Sequence, residues 1–388
     1  MTTLRTSNNP RMLVWAREET GLDIVQAAEA IGVSLGALVA AENGERSLTL
    51  NQLRKAAEMY DIPFGNFYLS EPPRAKSFHP IPDFRSEPGV AGADHYRLNL
   101  EIKKCRDRRD IYLDLMRSLE IPVANFEVLK AINENSIGTK LRGRLGISQT
   151  DIRSLNFDGA YVYWKQKIED SGVLVYESQY IPDVTGVIGA AMFYEVCPII
   201  LLKRGPENNE RKLFTLLHEY AHLLLGESAI NDAGSLLAIE GQKNTSDIEV
   251  ACNRLAAELL IPTESVDKSS FDGLDIREKM ELLSRQYKVT YSTAAVCLRR
   301  LGLISQSELR ELLDGRRREN QLSRRSSGEA RIPRENINRL DMGRPLFKAA
   351  LEAYAVGILD VYDASRILNL RVKKIDRLVS KVKNEVLH

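Results

Sequence analysis

The stretch KLFTLLHEYAHLLL, residues 212 to 225, constrains this chain more than any other. It contains neither Gly nor Pro and consists largely of helix formers, so it predicts a helix. Phe214, Leu216, Leu217, Leu223, Leu224 and Leu225 make that helix apolar nearly all round, so its polar residues are carried into a core. Among them are His218 and His222, four apart and therefore about 40° apart on the helix and one turn along it. Both imidazoles can reach one cation, and Glu219, beside the first, can reach a water on that cation instead. In a chain with five His, such an arrangement arises by chance in about one sequence in two hundred. Buried polar groups without partners are costly, and a shared cation satisfies them together.

A catalytic zinc takes three protein ligands and keeps a position open for water. After His222 the chain runs LLLGESA, with no third histidine. His79 lies in a Pro-rich stretch, His95 precedes a distant helix, and His388 is the last residue. A carboxylate is therefore expected, from Asp232, Glu240, Asp247, Glu249 or Glu258. The best placed is Glu249 in TSDIEVACNRLAAELLIP, where Thr245 to Asp247 read as a helix start and Pro262 marks the end. Glu249 then stands on a second helix packed against the first. Asn253, one turn along, serves either to orient a ligand or as a buried structural amide. Zinc is the expected ion, with manganese as an alternative.

FTLLHEYAHLLLG, followed by EVACNRLAAELLIP and preceded by the apolar run PIILLKR, resembles the ImmA/IrrE family of zinc metallopeptidases over roughly residues 155 to 262. The resemblance implies His218, His222 and Glu249 as zinc ligands and Glu219 as catalytic base. It also implies a protein substrate, a transcriptional repressor cut at one site to release the genes it silences. One departure is the lack of an Asn just after PIILLKR. The strand 198 to 203 within that run is expected to be the sheet edge that an extended substrate pairs with. Tyr220 is expected to point off another face of the helix.

The N-terminal segment DIVQAAEAIGVSLGALVAAENGERSLTLNQLRKAAEMY looks like the Cro/repressor (XRE-like) type of helix-turn-helix: a helix over 24 to 31, a turn at Gly32-Val33, and Ser34 capping the next helix. Residues 1 to 70 hold six Lys/Arg against eight Asp/Glu, and SLGALVAAENG, the presumed recognition helix, has no cation. A module that lives on phosphate contacts is usually basic. Gln26, Ser34, Asn43 and Arg46 are the candidate DNA contacts; a docking or dimerisation module is the rival reading.

The rest of the chain frames these two regions. Residues 71 to 156 read as a Pro-rich connector and a charged helix, and 157 to 265 as a metallopeptidase core containing a helix and the strands VLVYESQYI, GVIGAAMFYEV and PIILLKR. Residues 266 to 313 read as a helical substrate-recognition or packing subdomain, 314 to 345 as an Arg-rich linker, and 346 to 388 as a small helical unit. The expected fold is multidomain and mainly α: an all-α helix-turn-helix domain, an α+β zincin-like core with a small mixed sheet, then helices. A net charge of +1 gives no overall bias toward nucleic acid or membrane, no apolar run is long enough to span a bilayer, and four dispersed Cys fit a reduced, cytoplasmic protein. The expected activity is that of a zinc endopeptidase acting on a repressor, with DNA as a partner through the N-terminal domain and a homodimer as a further possibility. The alternative is a DNA-binding regulator or toxin-antitoxin component whose metal domain senses or scaffolds.

Overall fold

Local capping builds the N-terminal helices. The computed structural model describes residues 8–72, 93–129, 136–205, 209–232, 247–313 and 341–386. Asp23 caps α2 (Ile24–Ile31) by accepting from the Gln26 backbone N–H at 2.8 Å, while Gln26 Oε1 accepts from the Asp23 N–H. This reciprocal pair satisfies two donors that a helix start leaves open. Gly32 ends α2 at φ 78°, where a side chain would be strained, and Ser34 caps α3 (Leu35–Glu42) two residues later. With α1 (Pro10–Glu19) and α4 (Leu50–Tyr60), these helices enclose Met12, Leu13, Ile31, Leu38, Leu53 and Tyr60. They belong to the first of two units, made of Met1–Ile81, Glu87–Arg106 and Tyr180–Gly186. The long charged helix α5 (Ala93–Ser118) contributes its residues up to Arg106 to that unit and the remainder to the second.

The second unit comprises Pro82–Ser86, Asp107–Gln179 and Val187–His388. Helices α6 (Ile137–Arg144), α7 (Gln149–Ser154) and α8 (Phe157–Asp170) precede a four-stranded mixed sheet. Its strands are β1 (Leu174–Ser178), β2 (Val187–Met192), β3 (Ile199–Lys203) and β4 (Ala229–Asp232), in the order β1-β3-β2-β4. β3 runs parallel to β1, with Leu174 opposite Ile199, and antiparallel to β2, with Ala191 opposite Ile200. The expectation that β3 is an edge is therefore wrong: both of its sides are paired, as its unbroken apolar sequence suits. The outer strands are β1 and β4, and β4 was not anticipated. Helix α9 (Asn209–Leu224) follows β3, and α10 (Asp247–Leu260) packs against it.

Trp164 of α8, Leu216, Leu217 and Leu223 of α9, and Leu255 and Leu259 of α10 lie in one core with the sheet. Helices α11 (Ile276–Tyr287) and α12 (Tyr291–Arg300) add Leu283, Tyr287 and Leu298 to the same core. The Pro-rich connector over 73–92, with His79, and the Arg-rich stretch over 314–340 lie outside the described residues, as do Glu240, Thr245 and His388.

Candidate metal centre

His218, Glu219, Tyr220 and His222 of α9 have no exposed surface, as the apolar composition of that helix requires. Tyr220 lies edge-on against Phe126, with ring centroids 6.1 Å apart. Glu249 is also buried and comes from the first turn of α10, where unpaired N–H groups favour a negative charge. Its Oε2 is 3.2 Å from His218 Nε2 and its Oε1 is 3.2 Å from His222 Nε2; the two Nε2 atoms are 3.1 Å apart. Ligand atoms at about 2.0–2.1 Å from a tetrahedral zinc stand about 3.3 Å from one another, so these three side chains have the spacing of one coordination sphere. Among the described residues, no other three His, Cys, Asp or Glu side chains group in this way.

The protonation states suit a cation. His218 Nδ1 lies 2.8 Å from Asn253 Oδ1. The amide oxygen accepts from Nδ1–H, which leaves the lone pair of the neutral ring on Nε2, facing the other two groups. Burial pushes the His218 pKa below its usual 6.5. Burial works in the opposite direction on Glu249, but hydrogen bonding and charge at His218 and His222 outweigh it and pull the carboxyl down to about 2. A lone pair and a carboxylate converging in a dry core repel each other unless a positive charge lies between them.

Glu219 reaches toward β2. A Cβ placed on Gly189 would fall 2.4 Å from Glu219 Oε1 and 3.0 Å from its Cδ, so glycine is required there for the carboxylate to fit. The one sequence signal for Gly189 is its place inside an apolar strand, where a Gly marks the close approach of another group. The other weighed carboxylates lie elsewhere: Asp232 ends β4, Asp247 is exposed at the start of α10, and Glu258 accepts from Thr263 at 2.7 Å and pairs with Arg300.

Residues 169–299, which contain this cluster, match the family model of the IrrE N-terminal-like domain. The central domain is IrrE-like. Residues 13–67 match a helix-turn-helix family, so the pair of matches is that of an ImmA/IrrE protein with an XRE-like helix-turn-helix. No curated protein and no solved structure matches the chain. The IrrE-like match supports a metal-dependent peptidase, and the helix-turn-helix match supports DNA binding. Among the described residues, no single helix is long and apolar enough to cross a membrane.

In the helix-turn-helix, Gln26 and Ser34 are engaged in capping, Asn43 is the C-cap of α3, and Arg46 is exposed. The one carboxylate of α3, Glu42, is held by Arg17 in a two-pronged pair at 2.9 and 3.0 Å. What α3 and its neighbour leave outward is apolar: Val25, Leu35 and Val39 are exposed.

Proposed function

We propose that this chain is a zinc-dependent endopeptidase that cleaves one specific protein partner, a transcriptional repressor, and so switches on stress or mobile-element genes. His218, His222 and Glu249 hold the ion, and Asn253 orients His218. The convergence of His218 Nε2, His222 Nε2 and a Glu249 oxygen pair within 3.2 Å carries the reading. Bound there, zinc supplies Lewis acidity toward a water and a substrate carbonyl. Glu219, one residue from the first ligand and buried, takes the proton from the attacking water and returns it to the leaving amine. Gly189 holds open the space in which the Glu219 carboxylate sits. With β3 paired on both sides, the strand we assign to an extended substrate is β4, which neighbours β2 and closes that side of the sheet.

Metal analysis of the purified protein beside His222→Ala tests the site: about one equivalent of zinc or manganese is expected, and its loss in the variant. Glu219→Gln then tests the chemistry, since it keeps the ion and abolishes cleavage. The alternative, a regulator whose metal domain only senses or scaffolds, requires Glu219→Gln to leave function unchanged. A wild type that binds no metal after reloading overturns the peptidase reading.

A further inference from the structure

Residues 341–386 carry the helices Arg344–Ala355, Val361–Leu368 and Val372–Val386 around a core in which Leu346, Ala350, Leu368 and Ile375 join Leu115 of α5. Asn369 closes the second of these helices at φ 48°, the left-handed conformation, and three residues, Asn369 to Arg371, lead into the third. A short helix, a left-handed turn of three residues and a second helix make up a helix-turn-helix.

The match to the N-terminal motif is residue for residue at a constant offset of 337. Asp360 caps its helix as Asp23 does; Val361–Leu368 has the length of Ile24–Ile31; left-handed Asn369 takes the place of Gly32; and Val372 starts the third helix where Leu35 starts α3. The buried positions coincide as well: Ala364 with Ala27, Leu368 with Ile31, and Ile375 with Leu38. Leu370, like Val33, packs the turn onto the core.

The two units differ on the face of the second helix of the motif. Where α3 carries Ser34, Gly36, Ala37 and Ala40, the C-terminal helix carries Arg371, Lys373, Lys374 and Arg377, all exposed. Residues 371 to 383 hold six Lys/Arg and one Asp, in a chain whose net charge is +1. That one acid, Asp376, accepts from Tyr354 Oη at 2.7 Å, which ties it to the first helix of the unit. A cation-rich second helix of a helix-turn-helix is the element that enters a major groove, where Lys and Arg meet phosphates and guanine edges.

We infer that residues 344–386 form a second helix-turn-helix and that Lys373, Lys374 and Arg377, with Arg371 at the entry, contact duplex DNA. The test uses the full chain and a fluorescein-labelled mixed-sequence duplex of about 24 base pairs, followed by anisotropy from about 50 to 200 mM salt. Lys373→Ala/Lys374→Ala/Arg377→Ala leaves the N-terminal motif intact, so any loss reports on the C-terminal helix. The triple variant is expected to bind at least about tenfold more weakly, with the slope of log affinity against log salt shallower by about 2.7, the share of three phosphate contacts. Lys374→Glu alone guards against a folding defect and is expected to reduce that slope by about one. Unchanged affinity and slope in both variants overturn the inference. So does a wild type that fails to bind duplex at the lowest salt, in which case the basic face is a protein-docking or solvated surface.

Discussion

Gly189→Ala is the substitution that most directly tests whether the position of Glu219 matters. The new methyl group would lie 2.4 Å from Glu219 Oε1, with Cδ and Cγ each at 3.0 Å. An ordinary contact of this kind is about 3.5 Å, so the carboxylate must retreat by about 1 Å or the strand must move. β2 is held by β3 on one side and β4 on the other, and forcing such a core apart costs about 1–3 kcal/mol. The side chain therefore gives way first. Misplacing a reacting group by about 1 Å costs about a hundredfold in rate. The three nearest atoms to the added methyl all belong to Glu219, so the clash falls first on that side chain. Digestion of a proteome-derived peptide library, with new termini counted by mass spectrometry, gives the rate; metal analysis of the same preparation gives occupancy. The expected result is full occupancy with a rate down by about a hundredfold. A variant that cleaves at the wild-type rate refutes the argument that Gly189 exists to seat this carboxylate.

The other predictions concern groups around the site and the core. Asn253→Ala removes the acceptor at 2.8 Å from His218 Nδ1 and is expected to weaken metal affinity by about 10–100-fold in competition with a chelating dye; unchanged affinity would make Asn253 a structural amide only. Glu177, buried on β1, accepts from Lys165 at 2.7 Å and Tyr161 at 2.8 Å, and Glu177→Gln takes from that buried lysine its hydrogen-bonded counter-charge, which is expected to cost about 3 kcal/mol in denaturant unfolding. Acid should reproduce part of that loss. Burial pushes the Glu177 carboxyl up, but Lys165, Lys212 and Tyr161 hold it below its ordinary 4.5, so the unfolded chain takes up the proton first. The contribution is therefore complete above pH 4.5 and lost as the pH falls through and below that value, whereas Glu177→Gln should lack this component.

Local rules reached a good part of this protein from the sequence. The i, i+4 spacing put His218 and His222 on one side of α9, and the Gly32-Val33 turn with Ser34 as the following cap set out α2 and α3. Glu249 was legible as a position on a second helix, but its meeting with His218 and His222 depends on α10 packing on α9, a contact between distant segments that no local rule spans. β3 shows why apolarity alone is insufficient: PIILLKR says that the strand is buried, while its neighbours are chosen by pairing with residues far away in the chain. β4 is only four residues long, too short for a period to show. Gly189 was visible as a glycine in a strand, yet only the approach of Glu219 from α9 gives it a reason. The C-terminal helices were readable as a small helical unit and little more, because the spacing of Ala364, Leu368 and Ile375 is common in helical units. Their burial, the left-handed turn at Asn369 and the outward placement of Lys373, Lys374 and Arg377 came from the tertiary structure. The division has one physical cause: helix periodicity and capping act within a few residues, whereas strand order, ligand convergence and side-chain exposure depend on which distant surfaces exclude water together.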